Sequence, residues 1–357
     1  MSNIKLNGLI IGDAPDMYGL RSFIGRSCHS IFSSHEIICT VREKADALGI
    51  DLTVTNGDEL PKRLSSLLAE SCGNIKDTAE SIAADFGRRL GLIIYILKTS
   101  DEKTRLANTR FPDEDWTPWR SFRTIIISGG LSGGMLGKKL CFYATTLLKE
   151  LDVNDLTVIP GSFHSYDQLI GCAKINDSVC SRAVVFDFGH SFVKSGIVSY
   201  DGNKVTKLTP LERIPSRFMK RGYEDKEEEY RDAVGLHEFI VNTVSERYTK
   251  HWGDGLSDHI VISIANNVND GKIIWGGCYY KLMFISPEYE KHLENSIRSA
   301  LGKDVRVTLV HDGKAAALCY SGLHDCALIA IGTAFGVGYP EDIPGLKDTS
   351  EVKIEMC

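Results

Sequence analysis

The sequence carries two patterns of hydrophobic positions. In roughly the first hundred residues apolar side chains recur every three or four positions, which predicts helices. From residue 123 onward, short apolar runs such as TIIIS, VVFDF and HIVISI alternate with helical stretches. This alternation predicts a mostly parallel, buried sheet and an α/β fold. The stretch 99–122 has two prolines and many charges, and it is predicted to be a long loop.

Composition narrows the class of protein. The chain has 357 residues, enough for two domains, and 43% of them are hydrophobic. Its 41 basic and 47 acidic residues give a net charge of −6, which argues against a nucleic-acid partner or binding to an anionic membrane. No run approaches the roughly 18 apolar residues of a membrane span, and the first residues do not resemble a signal peptide. Ten scattered cysteines without a CxxC pair favour reduced thiols over disulfides or a zinc cluster, and hence a cytoplasmic protein.

The segment VVFDFGHSFVKSGIV reads as two strands joined by a tight turn. The first strand carries Asp187, the turn contains Gly189, His190 and Ser191, and the second strand carries Lys194. Such a turn can direct backbone N–H groups and the serine hydroxyl at a phosphate, while the aspartate holds the accompanying cation, Mg²⁺, through water. The alternative is a plain β-hairpin whose glycine serves only the turn.

Two further strands end in glycine. ALIAIGTAFGVGYP places Gly332 and Thr333 directly after an apolar strand, where they can hold phosphate, although a glycine-rich strand kept thin for packing is the alternative. TIIISGGLSGG places Gly129 and Gly130 between a strand and a helix. GGLSGG does not fit the dinucleotide fingerprint GxGxxG, so we interpret these two glycines as a border for the adenosine part of a nucleotide.

A carboxylate follows the strand in TLVHDGKAAALCY. Asp312 comes at the end of this strand and before a helix that begins with small residues. Open α/β sheets bind ligands at the carboxyl ends of their strands, and a carboxylate there can take a proton from a substrate hydroxyl. The alternative is a helix N-cap, which stabilises a helix by about 1 kcal/mol.

Together these segments resemble the actin/hexokinase/heat-shock ATPase superfamily, and most closely the ROK (repressor, ORF, kinase) sugar kinases, over about residues 77–340. The resemblance implies a two-lobed, ribonuclease H-like fold that uses ATP and Mg²⁺ to phosphorylate a hydroxyl of a carbohydrate-like small molecule. It also implies that Asp312 is the catalytic base and that Asp187 positions the metal. The remaining nucleotide contacts it implies are Gly189, His190, Ser191, Lys194, Gly332, Thr333, Gly129 and Gly130.

The order of the motifs is rotated relative to that family. In the family the first phosphate motif opens the chain, whereas here the adenosine-like segment precedes it. The simplest account is a circular permutation, which neighbouring chain ends and exposed loops tolerate; chance similarity is the alternative. The expected lobes are 1–159 with 321–357, and 160–320.

The residues expected to bind the substrate depart from the pattern of the family. The acid-and-histidine motif and the cysteine-rich zinc loop that many ROK enzymes carry appear neither in EDIPGLKDTSEVKIEMC nor in the first 40 residues, and His311 replaces an asparagine. His311 is either a substrate ligand or a packed residue. Asn266 and Asn267 are candidate ligands for substrate hydroxyls or, alternatively, satisfy loop backbone. Trp275 is a candidate to stack on a sugar ring, but we expect it to belong to the core.

These departures keep other functions open. A non-catalytic nucleotide- or sugar-binding protein derived from a kinase is one alternative to a sugar kinase. An actin-like ATPase is another, suggested by the spacing D-x-G-x-S-x-x-K that begins at Asp187. The expected partner is a small sugar-like molecule, and the sequence leaves a homodimer open.

Overall fold

The structure, a computed structural model, describes Ser2 and residues 4–355. Contacts between residues divide the chain into two units. The first comprises Met1–Asp167 and Leu323–Pro340, and the second comprises Gln168–Gly322 and Glu341–Cys357. The expected lobes differ from these units chiefly at the end of the chain, which we assigned to the first lobe. In the structure strand Lys353–Ile354 instead pairs in parallel with strand Lys204–Pro210 of the second unit.

Helices and strands follow one another along the described chain as predicted for an α/β protein. The helices are α1 (Cys28–Ile31), α2 (Ser34–Glu43), α3 (Ala45–Leu48), α4 (Leu60–Glu70), α5 (Gly73–Thr99), α6 (Glu102–Ala107), α7 (Asp113–Ser121), α8 (Gly134–Glu150), α9 (Asp167–Ile175), α10 (Lys226–Lys250), α11 (Tyr289–Leu301) and α12 (Asp312–Leu318). The strands are β1 (Thr124–Ser128), β2 (Thr157–Pro160), β3 (Arg182–Phe188), β4 (Phe192–Asp201), β5 (Lys204–Pro210), β6 (Ile214–Pro215), β7 (His259–Ile264), β8 (Asn266–Asn269), β9 (Lys272–Gly277), β10 (Arg306–His311), β11 (Cys326–Ile331), β12 (Phe335–Gly338) and β13 (Lys353–Ile354). Single 3₁₀ turns lie at Leu6–Gly8, Leu20–Phe23, Gly57–Glu59, His164–Tyr166 and Tyr280–Phe284.

The predicted loop at 99–122 is wrong, because α6 and α7 fill most of it. Asp101 caps α6 by accepting a hydrogen bond from the Thr104 N–H at 2.9 Å. Helix α7 begins after a proline with three acidic residues in its first turn, where the helix dipole favours negative charge. Its tryptophans, Trp116 and Trp119, are 0% and 2% exposed. Pro112 and the acidic residues that suggest a loop here serve helix starts, whereas Pro118 lies within α7.

The sheet of the first unit is small and is covered by long helices. Strand β1 lies between β11 and β2 and runs parallel to both, while β12 is antiparallel to β11. Helix α5 approaches α8 closely at two glycines: a Cβ on Gly87 would lie 3.0 Å from the Leu140 carbonyl oxygen, and one on Gly91 would lie 3.0 Å from that of Ala144. The buried apolar side chains of these elements form one core. Within the described residues, no helix has both the length and the apolar character that crossing a membrane requires.

The second unit has a larger mixed sheet in the order β10-β7-β3-β4-β5-β13, with β6 paired to β4. Strands β10, β7 and β3 are parallel, and β4 is antiparallel to both β3 and β5. Strand β7 is buried at every position, as expected of a central strand. The order β5-β4-β3-β7-β10, with only β4 reversed, is that of the ribonuclease H-like fold, so the predicted α/β, ribonuclease H-like fold is confirmed.

The first unit repeats four strands of this arrangement. In both units an antiparallel hairpin (β3–β4 or β11–β12) is followed across the sheet by two strands parallel to its first strand (β7 and β10, or β1 and β2). In the second unit the hairpin comes first along the chain, whereas in the first unit it comes last. The two sheets therefore have the same spatial order but a rotated sequence order.

Candidate functional site

An aspartate and a lysine face each other at the end of the second unit's sheet where strand β3 finishes and strand β4 begins. Asp187 lies near the end of β3, and the antiparallel register pairs it directly with Lys194 near the start of β4. Lys194 Nζ lies 3.1 Å from Asp187 Oδ2. The carboxylate is 4% exposed, whereas the lysine side chain is 27% exposed. The pair is therefore a buried anion with a cation that reaches solvent beside it.

The other oxygen of this carboxylate is held by a residue that the sequence analysis missed. Ser263 lies on β7 opposite Asp187, and its hydroxyl donates to Asp187 Oδ1 at 3.0 Å. Ser263 is fully buried, and it is the one hydroxyl side chain within the apolar run HIVISI. Buried polar side chains are usually hydrogen-bonded, so a serine inside a central strand was the available signal. Its partner follows only from the register of two parallel strands far apart in sequence.

The turn between β3 and β4 is held by hydrogen bonds to its backbone. The Gly189 carbonyl oxygen accepts from the hydroxyls of Ser216 and Tyr279, both at 2.8 Å. The Gly189 N–H donates to the Phe192 carbonyl at 3.2 Å, so this amide closes the hairpin. Ser191 is exposed. These hydrogen bonds hold the turn in place at Gly189, and Ser191 is the residue of the turn that faces solvent.

His190 of this turn is half-buried, and its surroundings favour the neutral imidazole. Burial lowers the pKa of His190, and the nearby positive charge of Arg221 lowers it further. Its Nδ1 atom is buried without a hydrogen-bond partner among the described residues. A neutral imidazole nitrogen can accept or donate one hydrogen bond, but the structure does not expose this one to a ligand.

The predicted catalytic aspartate lies at the same edge of the sheet. Strand β10 ends at His311, and Asp312 is the first residue of α12. Asp312 Oδ1 accepts from the adjacent Gly313 N–H at 2.7 Å and lies 3.1 Å from His311 Nε2. This is not the usual N-cap, whose side chain accepts from an N–H two or three residues on. One quarter of the Asp312 side chain stays exposed, so its carboxylate is accessible to a ligand.

The electrostatic environment of Asp312 favours the protonated form. Burial raises the pKa of Asp312, and the Asp187 carboxylate raises it further. His311, the Gly313 N–H and Lys194 act in the opposite direction. A carboxyl group whose pKa is raised is a stronger base once ionised, which suits it to accept a proton. The structure thus brings Asp187, Lys194 and Asp312 into one electrostatically coupled group.

Of the predicted substrate ligands, some have side chains that are hydrogen-bonded within the protein, and others have side chains that are at least partly exposed to solvent. The side-chain amide of Asn266 donates to the Ile274 and Asn267 carbonyls, and its oxygen accepts from the Tyr279 N–H. Asn266 is 2% exposed and thus holds the β8–β9 region together. Asn267 is half-buried. Trp275 is 65% exposed, so the expectation that it belongs to the core is wrong; it lies on the surface with its ring centroid 4.6 Å from that of Tyr280.

The first unit brings its own glycine motifs together. Strands β1 and β11 are parallel neighbours, so Gly129 and Gly332 follow strand ends at the same sheet edge. Gly129 has φ +93°, and a Cβ there would lie 2.4 Å from the Ile331 carbonyl oxygen, so this glycine is required by the fold. Gly130 and Gly332 differ, since a Cβ on either would meet nothing within 4 Å. Gly130 and Thr333 are exposed.

Next to these glycines lies a polar cluster that the sequence analysis did not single out. The Ser128 hydroxyl donates to Asp167 Oδ2 at 2.5 Å, and both residues are 0% exposed. His164 has φ +53°, and its carbonyl accepts from the Gly129 N–H at 3.3 Å. Asp167 begins the helix after β2, just as Asp312 begins the helix after β10. The repeated strand order was the signal that would have found it.

The carboxylates of this site suit Mg²⁺ only when a bound ligand supplies further oxygen atoms to the metal. Among the described residues, no group of three histidine, cysteine or acidic side chains is placed to hold a metal ion by itself. The second unit offers two carboxylates, Asp187 and Asp312, that interact electrostatically. Mg²⁺ typically takes one or two carboxylates together with waters and substrate phosphates. These residues therefore suit a metal that arrives with a nucleotide.

Comparisons with known proteins give weak similarities. No family model matches the chain, and no curated protein matches it. The solved ROK hexokinase from Thermus thermophilus is similar over 45% of this chain and 47% of its own, with 20% identity and a TM-score of 0.25. An exopolyphosphatase-like protein matches over 37% and 33% (15% identity, TM-score 0.21), and the Aquifex aeolicus Ppx/GppA phosphatase over 39% and 40% (9% identity, TM-score 0.22). This chain thus covers a third to a half of each of those chains. Similarities at these TM-scores carry no argument for a shared activity.

Proposed function

We propose that this protein is an ATP-dependent kinase that phosphorylates a hydroxyl group of a carbohydrate-like small molecule. The observation that carries the proposal is the strand register, which places Asp187, Lys194 and Asp312 at the same end of the second unit's sheet, where its parallel strands have their carboxyl ends. Parallel α/β sheets bind ligands at this edge. Phosphoryl transfer needs a base, a cation beside the phosphates and a metal-binding carboxylate, and these three residues supply one of each.

Each residue has a separate role in the proposal. The Asp312 carboxylate takes the proton of the acceptor hydroxyl. The oxygen of that hydroxyl forms a bond to the γ-phosphorus, and the bond from the γ-phosphorus to ADP breaks. Lys194 contacts the phosphates together with the turn at Gly189, His190 and Ser191, in which Gly189 shapes the backbone. Asp187 would hold Mg²⁺. When bound, Mg²⁺ would neutralise charge on the phosphates. Gly332 and Thr333 contact phosphate, while Gly129 and Gly130 border the adenosine.

We further propose that the chain is a circularly permuted ROK-type protein. The two units share a strand order, and only in the first does the hairpin β11–β12 come last along the chain. This rotated order is what joining the old ends and opening a loop after the hairpin would produce. The nine described cysteines are free thiols, which supports the proposed cytoplasmic location.

The direct test is an ADP-release screen with purified protein, ATP and Mg²⁺ over a panel of sugars and amino sugars. We expect at least one acceptor to raise ADP release above the rate without acceptor and to become phosphorylated, as seen by mass spectrometry. Release of phosphate without a phosphorylated acceptor would indicate a hydrolase instead. No ADP release with any acceptor would contradict the kinase.

A non-catalytic binding protein is the second candidate. The observation that favours it is Asn266, whose amide is committed to backbone hydrogen bonds rather than to a substrate. Calorimetric titration with ATP and with each sugar separates the two candidates. Binding without turnover favours the sensor, whereas binding with turnover favours the kinase.

Replacing Gly332 with valine is expected to weaken ATP binding by about tenfold or more, because a hydrogen bond to a charged group contributes about 1.5–3 kcal/mol and the side chain would block it. The fold should tolerate this change, since no atom lies within 4 Å of the added Cβ. Calorimetric titration measures the affinity, and thermal unfolding measures stability. Gly129→Ala is the matched variant, because its positive φ and the nearby Ile331 carbonyl predict destabilisation instead. Unchanged ATP affinity in folded Gly332→Val would contradict the phosphate role.

The pH dependence of the reaction should report the raised pKa of Asp312. Below that pKa the carboxyl group is protonated and cannot accept the substrate proton, so kcat/KM should fall as the pH is lowered through it. Because burial and Asp187 raise the pKa, the acidic limb should lie above the ordinary aspartate value of about 3.9. A rate profile over about pH 4–8 measures this limb. A profile that stays flat across this range would argue against Asp312 as the base.

A further inference from the structure

The second unit contains an open cavity of about 440 Å³. It is lined by the end of α9, the turn between β4 and β5, and residues 321–322 and 342–348. Lys194 lies near the start of β4, whereas Asn203 of the lining follows the end of that strand. At about 3.3 Å per residue these positions are on the order of 30 Å apart, so the cavity is separate from the site described above. Its volume falls within the range of about 300–1,000 Å³ found for small-molecule sites.

Two lysines in this lining are buried, and the side-chain hydrogen bonds of both go to uncharged groups. Lys174 and Lys347 are each 6% exposed. Lys174 Nζ donates to the Ser321 hydroxyl at 2.6 Å, and Lys347 Nζ donates to the Ser178 carbonyl at 3.4 Å. An ammonium group carries three donors, and burying its charge is unfavourable unless an anion compensates it. Both lysines therefore have donors left for an anionic ligand.

The acidic residues of the lining accept hydrogen bonds from groups other than the two lysines. Asp342 Oδ1 accepts from the Gly322 N–H at 2.6 Å, and both carboxylate oxygens of Asp348 accept from Ser350 at 2.9 Å. Both aspartates are exposed. Burial lowers the pKa of Lys174 even though Asp348 and Asp342 act to raise it, so the two carboxylates do not fully compensate its desolvation.

We propose that this cavity binds a small organic oxyanion. Lys174 and Lys347 hold its phosphate or carboxylate group, and the side chains of Ile343 and Leu346 line the space for its apolar part. The chain leaves the second unit at Gly322 and returns at Glu341, and both of these crossing segments reach the cavity. A ligand in the cavity would therefore contact both segments at which the chain leaves and re-enters the second unit.

The test uses inorganic phosphate and acetate as probes on the full chain. Reductive methylation with formaldehyde and a borane reductant releases no carboxylate, and peptide mass spectrometry then reports the reactivity of each lysine in the wild-type protein without requiring a variant to fold. Phosphate should slow methylation of Lys174 and Lys347 but not of Lys291, an exposed residue of α11. Protection by phosphate alone identifies a phosphate ester as the ligand class, and protection by acetate as well includes carboxylates.

Variants then separate this cavity from the nucleotide site. Lys174→Met and Lys347→Met keep side-chain volume and should weaken phosphate binding by about tenfold or more, as expected for a lost hydrogen bond to a charged group. Lys291→Met should bind as the wild type does. Protection of Lys174 and Lys347 should persist in Lys194→Met, whose change falls at the proposed nucleotide site. Equal reactivity of both cavity lysines with and without either probe would overturn the proposal, as would protection that disappears in Lys194→Met.

Discussion

Replacing Asp312 with asparagine is expected to lower the rate of phosphate transfer by about 10²–10⁴-fold, the usual contribution of a general base. Asparagine has nearly the same shape, but its amide cannot accept the proton of the acceptor hydroxyl. The carboxylate lies directly after β10 and stays partly accessible, with 25% of the side chain exposed. ADP release at saturating ATP and acceptor measures the rate, and calorimetric titration measures ATP affinity.

ATP affinity should be retained in Asp312→Asn, because the proposed phosphate contacts lie on other residues. The matched control is Asp304→Asn, a surface aspartate of the same unit whose side chain is 90% exposed. It should leave both the rate and the affinity unchanged. Wild-type turnover by folded Asp312→Asn would show that another group accepts the proton.

Removing the partner of a buried lysine should have the largest effect on stability. Lys281 is 0% exposed, and its Nζ forms an ion pair with Asp232 and hydrogen bonds with the Tyr223 hydroxyl and the Phe218 and Lys220 carbonyls. Asp232→Ala would leave the ammonium charge buried without a counter-ion. Breaking such a pair typically costs about 3–5 kcal/mol in the free energy of unfolding. Denaturant unfolding monitored by circular dichroism measures this change.

A double replacement distinguishes charge from packing. Asp232→Leu combined with Lys281→Met removes both charges and keeps apolar volume, so it should recover much of the lost stability. Asp304→Ala should change the free energy of unfolding by less than about 0.5 kcal/mol, as surface substitutions usually do. A loss below about 1 kcal/mol for Asp232→Ala would mean that the three neutral oxygens alone stabilise the buried ammonium.

Local patterns predict much of this fold and part of the site. The period of apolar residues identifies the central strands, and Asp187 and Lys194 oppose each other because they lie at matching distances from one turn. Asp312 follows a strand end, which also can be read from the sequence. Helices α6 and α7 could not be predicted from periodicity, since their prolines and acidic residues also occur in loops.

The remaining features depend on contacts between distant parts of the chain. The hydrogen bond from Ser263 to Asp187 requires the register of β7 beside β3. The two-residue strand β13 is too short to show a period. Lys174 and Lys347 line one cavity although they are far apart in sequence, and only the path of the folded chain brings them there. Such pairs are set by topology rather than by local propensity.

The late position of the β11–β12 hairpin has a consequence for synthesis on the ribosome. Strand β1 needs β11 as its neighbour, but β11 emerges only after the whole segment 168–322 of the second unit has been made. About 200 residues separate the two strands, so at about 5–20 residues per second β1 waits on the order of ten to forty seconds for β11. During that time the apolar strand β1 has an unpaired edge, which is prone to aggregation. The nascent amino-terminal part therefore needs protection, by a chaperone or by its own helices, until the last strands arrive.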